Sequence, residues 1–379
     1  MKLGLSALLL SCGALAACSS DTDARPVQTL APDDWNIVLA LVPDGDAIYA
    51  PRLTRLDVHA ADGTMRTVAG VTYAGCPERK DERWGPTFLD RGYPSFLVHR
   101  NRAFLSDSSC GLWSVDLTSG AVVSLIAGPS GDPHWGGKQN GIWHGHKPFT
   151  VAPLGDDLAV CLSMDRWRER FEKTTEDPDR VEIWRVGLDG TPKEKLVALE
   201  PREEACTQLL GDGDTLYAAT THAIYRFDSA SRHLQTLTTD AGTSFGSGLF
   251  GLAQDATHLY FLRQSALERV KKDGSERTVL LRRPSDFERA RFIIASDGAA
   301  VYWVENYSLL RMPVTGGTPE VLVSGDEWSA VAPTTIALIS DHVWFTRVNR
   351  VTPHDVTDPD TGITLKDVRL HFSIERVAK

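Results

Sequence analysis

The chain has 379 residues, of which 42% are hydrophobic and 24% are charged. This composition is typical of a folded globular protein and excludes a disordered or collagen-like chain. The formal net charge is −10, and no run of basic residues stands out. The charge therefore argues against a protein that follows nucleic-acid phosphates.

Residues 1–17 have the pattern of a secretory signal. Lys2 precedes an apolar stretch, Leu3 to Leu10, that is too short to span a bilayer. The sequence Leu15-Ala16-Ala17-Cys18 then resembles the lipobox of bacterial lipoproteins, in which the cysteine thiol is diacylated and the peptide is cut before it. The resemblance implies that Cys18 carries a lipid. The alternative is an ordinary signal peptide with a chance cysteine.

Residues 18–26 are expected to form a short tether behind the acylated Cys18. No other stretch approaches the ~20 apolar residues of a membrane span, so lipid would be the anchor. Two or three acyl chains meet or exceed the two signals that stable anchoring takes. Ser19 follows the cysteine in place of Asp, and by resemblance to the sorting pattern of enteric bacteria this implies the outer membrane of a bacterial cell envelope.

A repeat runs from residue 27 to residue 379. Its first element is a short apolar run after a turn, and the last three steps between successive runs are 43, 42 and 42 residues. The aligned positions are Ile48, Ala103, Leu158, Leu216, Leu259, Val301 and Val343. Hairpin signals follow further along in five of the seven units, namely Asp62-Gly63, Ser119-Gly120, Asp189-Gly190, Asp273-Gly274 and Gly316-Gly317. Four short strands in ~42 residues are the period of a propeller blade.

The second repeated element has the form apolar, any residue, Arg, apolar. Six of its seven copies carry the arginine, and the copy at 112–115 has Ser114 instead. The six are 53–56, 183–186, 224–227, 267–270, 309–312 and 374–377. We interpret the repeated arginine as structural, with its stem packed between blades and its guanidinium bound to carboxylates or carbonyls.

The predicted fold is all-β, a single seven-bladed β-propeller over residues 27–379. No segment carries a long 3.6-residue apolar period, which excludes a parallel α/β sheet. The last blade stops after its third strand at Lys379, and residues 27–30 read as its missing fourth strand. We therefore expect the N-terminal strand to close the ring, which removes the exposed sheet edges of an open array.

Stretches such as 301–304, followed by 310–319, resemble the propeller repeats of bacterial lipoproteins and, more distantly, YWTD and TolB-type propellers. These motifs are architectural, and the resemblance implies no reaction. The chain departs from YWTD blades because it has no Tyr-Trp-Thr-Asp tetrad and has seven units instead of six.

The long insertions are predicted to lie on one face of the propeller. With the strands of a blade named A to D outward from the axis, 70–94, 128–148 and 240–249 are D–A connections, and 163–181 and 350–369 are B–C connections. Both kinds of connection open on the same face. Drift of surface loops is the alternative, but the confinement to one face nominates that face for binding.

Two of these insertions hold the candidate ligand-binding residues. Imidazoles are good ligands for Zn or Cu, and tryptophans stack on sugars and cations. The residues are His134, Trp135, Trp143, His144, His146 and, in the second insertion, Trp167. No complete ligand set is evident, so neither a metal nor any other cofactor is predicted, and a packed Trp-rich loop is the alternative. The segment around Trp167 is predicted to be either a short amphipathic helix that binds a partner or a solvated flap that folds back onto the rim of the propeller.

Two motif matches are rejected. Residues 242–246 fit G-x-S-x-G, but they link two blades and do not join a strand to a helix. Asp355, Asp358 and Asp360 miss the EF-hand spacing, so we expect a solvated acidic turn. No catalytic residue is predicted.

Four cysteines remain after Cys12 and Cys18 are set aside, and none has C-x-x-C spacing. Sequence arithmetic alone allows three pairings. Their places in the predicted blades favour Cys76 with Cys110 and Cys161 with Cys206. Four buried free thiols are the alternative.

The predicted function is a non-enzymatic scaffold that binds an envelope protein, a glycan or a small ligand through the loop-rich face. The membrane is the expected partner of the anchor, and nucleic acid is not expected. The rival prediction is a propeller hydrolase or lyase with a site at the axial opening. A structural role in an envelope assembly is a third possibility.

Overall fold

Seven four-stranded antiparallel sheets, with the turns that join their strands, make up almost all of the chain that the computed structural model describes. The description covers residues 25–34, 40–52, 55–69, 95–107, 111–127, 138–139, 142–143, 146–164, 181–199, 206–220, 222–239, 250–263, 266–282, 293–305, 308–325, 335–357 and 364–379. Each sheet is one blade, and within these ranges no helix occurs. The prediction of an all-β, seven-bladed β-propeller is confirmed.

The first three blades follow one another along the chain. Blade 1 contains β2 (Val42–Asp44), β3 (Ala47–Pro51), β4 (Leu56–Ala60) and β5 (Met65–Ala69). Blade 2 contains β6 (Ser95–His99), β7 (Arg102–Asp107), β8 (Gly111–Asp116) and β9 (Val122–Ala127). A small hairpin of β10 (Lys138–Gln139) and β11 (Ile142–Trp143) precedes blade 3, which contains β12 (His146–Leu154), β13 (Asp157–Met164), β14 (Val181–Val186) and β15 (Pro192–Ala198).

Blades 4 to 6 repeat the same order. Blade 4 contains β16 (Cys206–Asp212), β17 (Thr215–Thr220), β18 (Ala223–Asp228) and β19 (His233–Thr239). Blade 5 contains β20 (Phe250–Gln254), β21 (His258–Arg263), β22 (Ala266–Lys271) and β23 (Thr278–Arg282). Blade 6 contains β24 (Ile294–Ser296), β25 (Ala300–Glu305), β26 (Ser308–Pro313) and β27 (Glu320–Val323).

Blade 7 is completed by the N-terminal strand. It contains β28 (Ile336–Ile339), β29 (His342–Thr357), β30 (Thr364–Ala378) and, as its outermost strand, β1 (Gln28–Asp34). Gln28 pairs with Arg376 and Asp34 pairs with Phe372. The innermost strands contact one another in a complete circle, β2 to β6 and onward through β12, β16, β20, β24 and β28 back to β2. The predicted closure is confirmed.

Burial changes with distance from the axis. All six residues of β25, the second strand of blade 6, are buried, because neighbouring blades cover both of its faces. β5, the outermost strand of blade 1, begins with three exposed residues. Buried side chains form seven apolar clusters within the described residues, one at each seam between neighbouring blades. The core therefore lies between the blades.

A glycine in a C–D turn permits close approach of two blades. Gly190 has φ +88°, and a Cβ built on it would lie 2.6 Å from the carbonyl oxygen of Leu125 in β9. The Asp189 carboxylate accepts a hydrogen bond from the Thr191 amide at 3.0 Å in the same turn. Only glycine combines this conformation with this contact.

The repeat of blade 1 has a different register from the predicted one. His59 pairs with Ile48 and Val58 pairs with Tyr49, as Val270 pairs with Leu259 and Arg269 with Tyr260 in blade 5. The second element of blade 1 is therefore 56–59 and the prediction of 53–56 is wrong. Arg55 mimicked the repeated arginine by chance, which leaves five blades with arginine at that position.

The connection at 350–369 is largely strand. β29 and β30 stay paired from Arg350 opposite His371 to Thr357 opposite Thr364. Asp355 lies in β29 opposite Lys366, so the prediction of an acidic turn at this residue is wrong. The alternating valine and threonine residues there favour a strand. Asp358 and Asp360 lie outside the described residues.

Candidate functional site

The propeller has two faces of different character. The A–B and C–D connections form the short-turn face, with turns such as 213–214 and 188–190. The B–C and D–A connections form the long-loop face, from which the paired strands β29 and β30 continue beyond their blade. This ribbon extends past β28 and β1, whose pairings end at Phe345 and Phe372 respectively.

Two of the six predicted ligand-binding residues lie in described strands, at the D–A connection into blade 3 on the long-loop face. Trp143 lies in β11, where it pairs with Lys138, and His146 is the first residue of β12, opposite Met164. Only the backbone of these two residues is described. His134, Trp135, His144 and Trp167 lie outside the described residues, so the ligand-binding role of all six stays a prediction.

One of the two predicted disulfides is present. Cys161 in β13 is bonded to Cys206 in β16, with the two Cα atoms 6.3 Å apart. Both residues are buried in the seam between blades 3 and 4. The bond joins the second strand of one blade to the first strand of the next, as predicted. Cys76 and Cys110 lie outside the described residues.

Three ion pairs, each with a buried acid, lie at the long-loop ends of their blades. In three blades an arginine of the second strand, or directly after it, binds an acid of the third strand on the same side of the sheet, and the three pairs occupy equivalent positions in the strand register. The pairs are Arg52 with Asp57 at 2.7 Å, Arg263 with Glu268 at 3.6 Å and Arg347 with Glu375 at 3.2 Å. They lie at the seams 7/1, 4/5 and 6/7, next to the B–C connections.

The Arg52–Asp57 pair is the most deeply buried of the three, with side chains 1% and 0% exposed. Asp57 also accepts hydrogen bonds from Arg55 Nε at 3.0 Å and from Thr67 Oγ1 at 2.9 Å. These donors surround the carboxylate and offset the cost of taking it out of water. The B–C end of blade 1 is thereby fixed against its own outer strand.

In blades 3 and 6 the indole of a tryptophan, and not an arginine, donates a hydrogen bond to an acid near the long-loop end of the blade. Trp184 Nε1 donates to Glu182 at 2.9 Å, and Trp303 Nε1 donates to Glu305 at 3.2 Å. Glu182 also pairs with Lys195 Nζ at 3.2 Å. Glu182 and Glu305 are therefore bound within their own blades.

The sequence analysis did not predict the three arginine–acid pairs, although two of them have a common spacing in the sequence. Arg52 and Asp57 are five residues apart, and so are Arg263 and Glu268. The third pair, Arg347 with Glu375, has no such spacing because the ribbon is inserted between its members. Only alignment by strand register shows that the three are equivalent.

The repeated arginine has the structural role that was predicted. Arg269 Nη1 donates to the carbonyl oxygen of Val314 at 2.7 Å, and Arg376 Nη1 donates to that of Ala61 at 2.5 Å. Each bond runs from one blade to the C–D turn of the next. Arg311 instead pairs with Glu320 in its own blade at 3.4 Å.

A small cleft of about 340 Å³ opens on the short-turn face between blades 2 and 3. Two of its charged groups already have partners: Arg102 Nη1 donates to the Leu188 carbonyl at 3.2 Å, and Lys193 Nζ pairs with Asp157 at 2.6 Å.

No group of three or more His, Cys, Asp or Glu residues able to hold a metal occurs in the described ranges. The same part of the chain has no helix long and apolar enough to cross a membrane.

No protein-family model matches the sequence, and no curated protein matches it. Solved structures resemble the fold. The computationally designed Ika8 protein is similar with a TM-score of 0.51 and 11% identity, over 93% of this chain and 100% of that one. A chain of the nidogen/laminin complex is similar with a TM-score of 0.46 and 13% identity, over 73% of this chain and 93% of that one. The chain's own strand topology makes it a seven-bladed β-propeller, and the likeness to the designed protein concerns the fold alone.

Proposed function

We propose that this protein is a lipid-anchored β-propeller of the bacterial cell envelope that binds a partner through its long-loop face and catalyses no reaction. The partner would be an envelope protein, a glycan or a small ligand. The observation that carries the proposal is the β29–β30 ribbon, which continues from blade 7 on the long-loop face.

The ribbon is a feature that blade packing does not require. Its eight or so residue pairs span roughly 25 Å at the rise of an antiparallel strand. A two-stranded ribbon is marginally stable in water without further packing. Among the described residues, β29 and β30 pair only within the sheet of blade 7, so a ribbon that extends past that blade favours a role in contact with another molecule.

Cross-links within and between blades favour a binding role because they make the scaffold beneath the long-loop face rigid. The ion pairs of blades 1, 5 and 7 and the Cys161–Cys206 bond brace seams close to this face. Loops on a rigid scaffold lose less conformational entropy when they bind.

The lipid anchor of the proposal depends on the sequence of the first 18 residues. The short apolar stretch and Leu15-Ala16-Ala17-Cys18 favour a cleaved, acylated precursor. Ser19 favours the outer membrane by the resemblance stated above. Such an anchor would hold the propeller at a lipid surface without a membrane-spanning helix.

Capture with a ribbonless variant tests the binding role. The acylated protein and a variant with residues 351–370 replaced by Asn-Gly would each be used to capture partners from detergent-solubilised native envelope. A matched control carries Asp214→Asn, an exposed residue of the short-turn face. We expect one stoichiometric partner with the parent and the control, and its loss with the ribbonless variant. Equal capture by all three, or no stoichiometric partner, would contradict the proposal.

A further inference from the structure

The chain enters the propeller at a defined point of the short-turn face. Arg25 Nη1 donates to the carbonyl oxygen of Ala378 at 2.9 Å, and its Nη2 pairs with Glu320 at 2.8 Å. Ala378 ends β30 and Glu320 begins β27, both on the short-turn side of their blades. Gln28 then starts β1 opposite Arg376. Arg25, near the end of the tether, is therefore fixed at the seam between blades 6 and 7.

The tether is short compared with the propeller. Seven residue steps separate Cys18 from Arg25, which reach at most ~25 Å when fully extended. A six-residue blade strand such as β25 is ~20 Å long. To place the long-loop face on the membrane, the tether would have to run almost fully stretched along the outside of a blade. A fully stretched tether loses conformational entropy, whereas a tether that holds the short-turn face on the membrane does not have to stretch.

We infer that the short-turn face is turned toward the lipid surface and that the long-loop face, with the β29–β30 ribbon, points away from it. The inference rests on the proposed acylation of Cys18. It gives the binding face access to molecules at a distance from the membrane. A partner embedded in the same bilayer would meet the short-turn face or the blade sides instead.

The charge of the short-turn face affects how closely it approaches lipid. Exposed aspartates recur in its turns, namely Asp44, Asp46, Asp62, Asp156, Asp189, Asp214, Asp273 and Asp341. Exposed basic residues there, such as Arg100, Lys193 and Arg232, are fewer. Anionic headgroups would repel this face within about a Debye length. Vesicles of zwitterionic phosphatidylcholine avoid that repulsion and are the better probe of orientation.

Two exposed residues at opposite ends of one blade allow a direct test. Thr315 lies in the C–D turn of blade 6 on the short-turn face, and Ser324 follows β27 at the other end of the same blade. Thr315→Cys and Ser324→Cys would be labelled with one fluorophore in acylated protein, with the parent as the labelling background. The proteins would be bound to phosphatidylcholine vesicles that carry a quencher on the lipid headgroup.

We expect the label at Thr315→Cys to be quenched at least twofold more than the label at Ser324→Cys. A 20-residue Gly-Ser insertion after Ala24 should reduce the difference, because a longer tether relaxes the orientation. Equal quenching with the native tether, or stronger quenching at Ser324→Cys, would overturn the inference. Incorporation of labelled fatty acid and flotation with vesicles are measured on the same samples, so that failed acylation, which refutes the proposed function, is distinguished from a wrong orientation.

Discussion

His59 and Trp344 meet across the seam that closes the ring, with ring centroids 6.5 Å apart and planes inclined by 62°. His59 is fully buried in β4 of blade 1, and neither ring nitrogen has a hydrogen-bond partner among the described residues. The equivalent positions of the other blades hold apolar residues, which are Val115, Val186, Phe227, Val270, Met312 and Val377. Of the seven seams, the one between blades 7 and 1 is therefore the one that has a titratable side chain at this position of the third strand.

Burial lowers the pKa of His59 from 6.5 to about 4, the nearby Asp57 carboxylate raises it by less, and the Arg52 and Arg55 guanidinium groups lower it further. The folded protein therefore binds this proton less readily than the unfolded chain does. As the pH falls from 6.5 to about 4, the unfolded state gains the proton first and stability is lost. The loss from this residue should approach about 3 kcal/mol at the lower end of the range.

The variant His59→Leu removes the titration and fills the position as the other blades do. Between pH 6.5 and pH 4 the free energy of unfolding should decrease in both proteins. We expect the decrease to be about 2–3 kcal/mol smaller in His59→Leu than in the parent. Urea unfolding at a series of pH values measures this. His233→Leu, at an exposed position of β19, is the control. A His59→Leu variant with the same pH dependence as the parent would show that His59 does not titrate in this range.

The Arg52–Asp57 pair should be far more important for stability than an exposed pair of the same type. Asp57→Leu leaves two buried or half-buried arginines without their carboxylate and should lower the free energy of unfolding by about 3–5 kcal/mol. Arg311→Met breaks the pair with Glu320, whose side chains are 31% and 47% exposed, and should cost less than about 1 kcal/mol. Chemical denaturation of both variants checks this. Similar losses in the two would contradict the assigned role of Asp57.

The blade count, the closure and the strand order could be predicted from sequence because they follow from a repeated pattern of apolar runs and turns. The register of blade 1 could not, since Arg55 imitates the repeated arginine while Val58 occupies its structural place. The ribbon was missed because strand pairing that continues past a blade leaves no break in the sequence pattern. The Arg347–Glu375 pair was missed because the ribbon separates its members in sequence.

The Cys161–Cys206 bond should stabilise the seam between blades 3 and 4. The two residues are 45 positions apart, and a loop of that length corresponds to about 4 kcal/mol in the chain-entropy model. We expect the Cys161→Ala, Cys206→Ala double variant to unfold at a markedly lower urea concentration than the oxidised parent. The reduced parent is the matched control, since it keeps both side chains. If reduction leaves the unfolding midpoint unchanged, the bond is not formed in the folded protein.

Closure by β1 predicts a specific defect when that strand is lost. Deletion of residues 26–33, with the anchor retained, removes the pairing of Gln28 with Arg376 and the contact of Leu30 with the seam cluster. The outer edge of β30 is then open, and the melting temperature should fall by many degrees. A synthetic peptide of residues 25–34, added in excess, should restore part of the loss. A deletion variant that melts with the parent would refute closure by this strand.

The lipid at Cys18 is the claim on which the proposed location and orientation both depend. Mass spectrometry of the mature N-terminal peptide, isolated from the native envelope after growth with labelled fatty acid, tests it most directly. We expect the peptide to begin at Cys18 and to carry acyl chains, and we expect Cys18→Ala to abolish the label and leave the precursor uncut. A mature protein that begins elsewhere, or a Cys18→Ala variant that still incorporates the label, would contradict it.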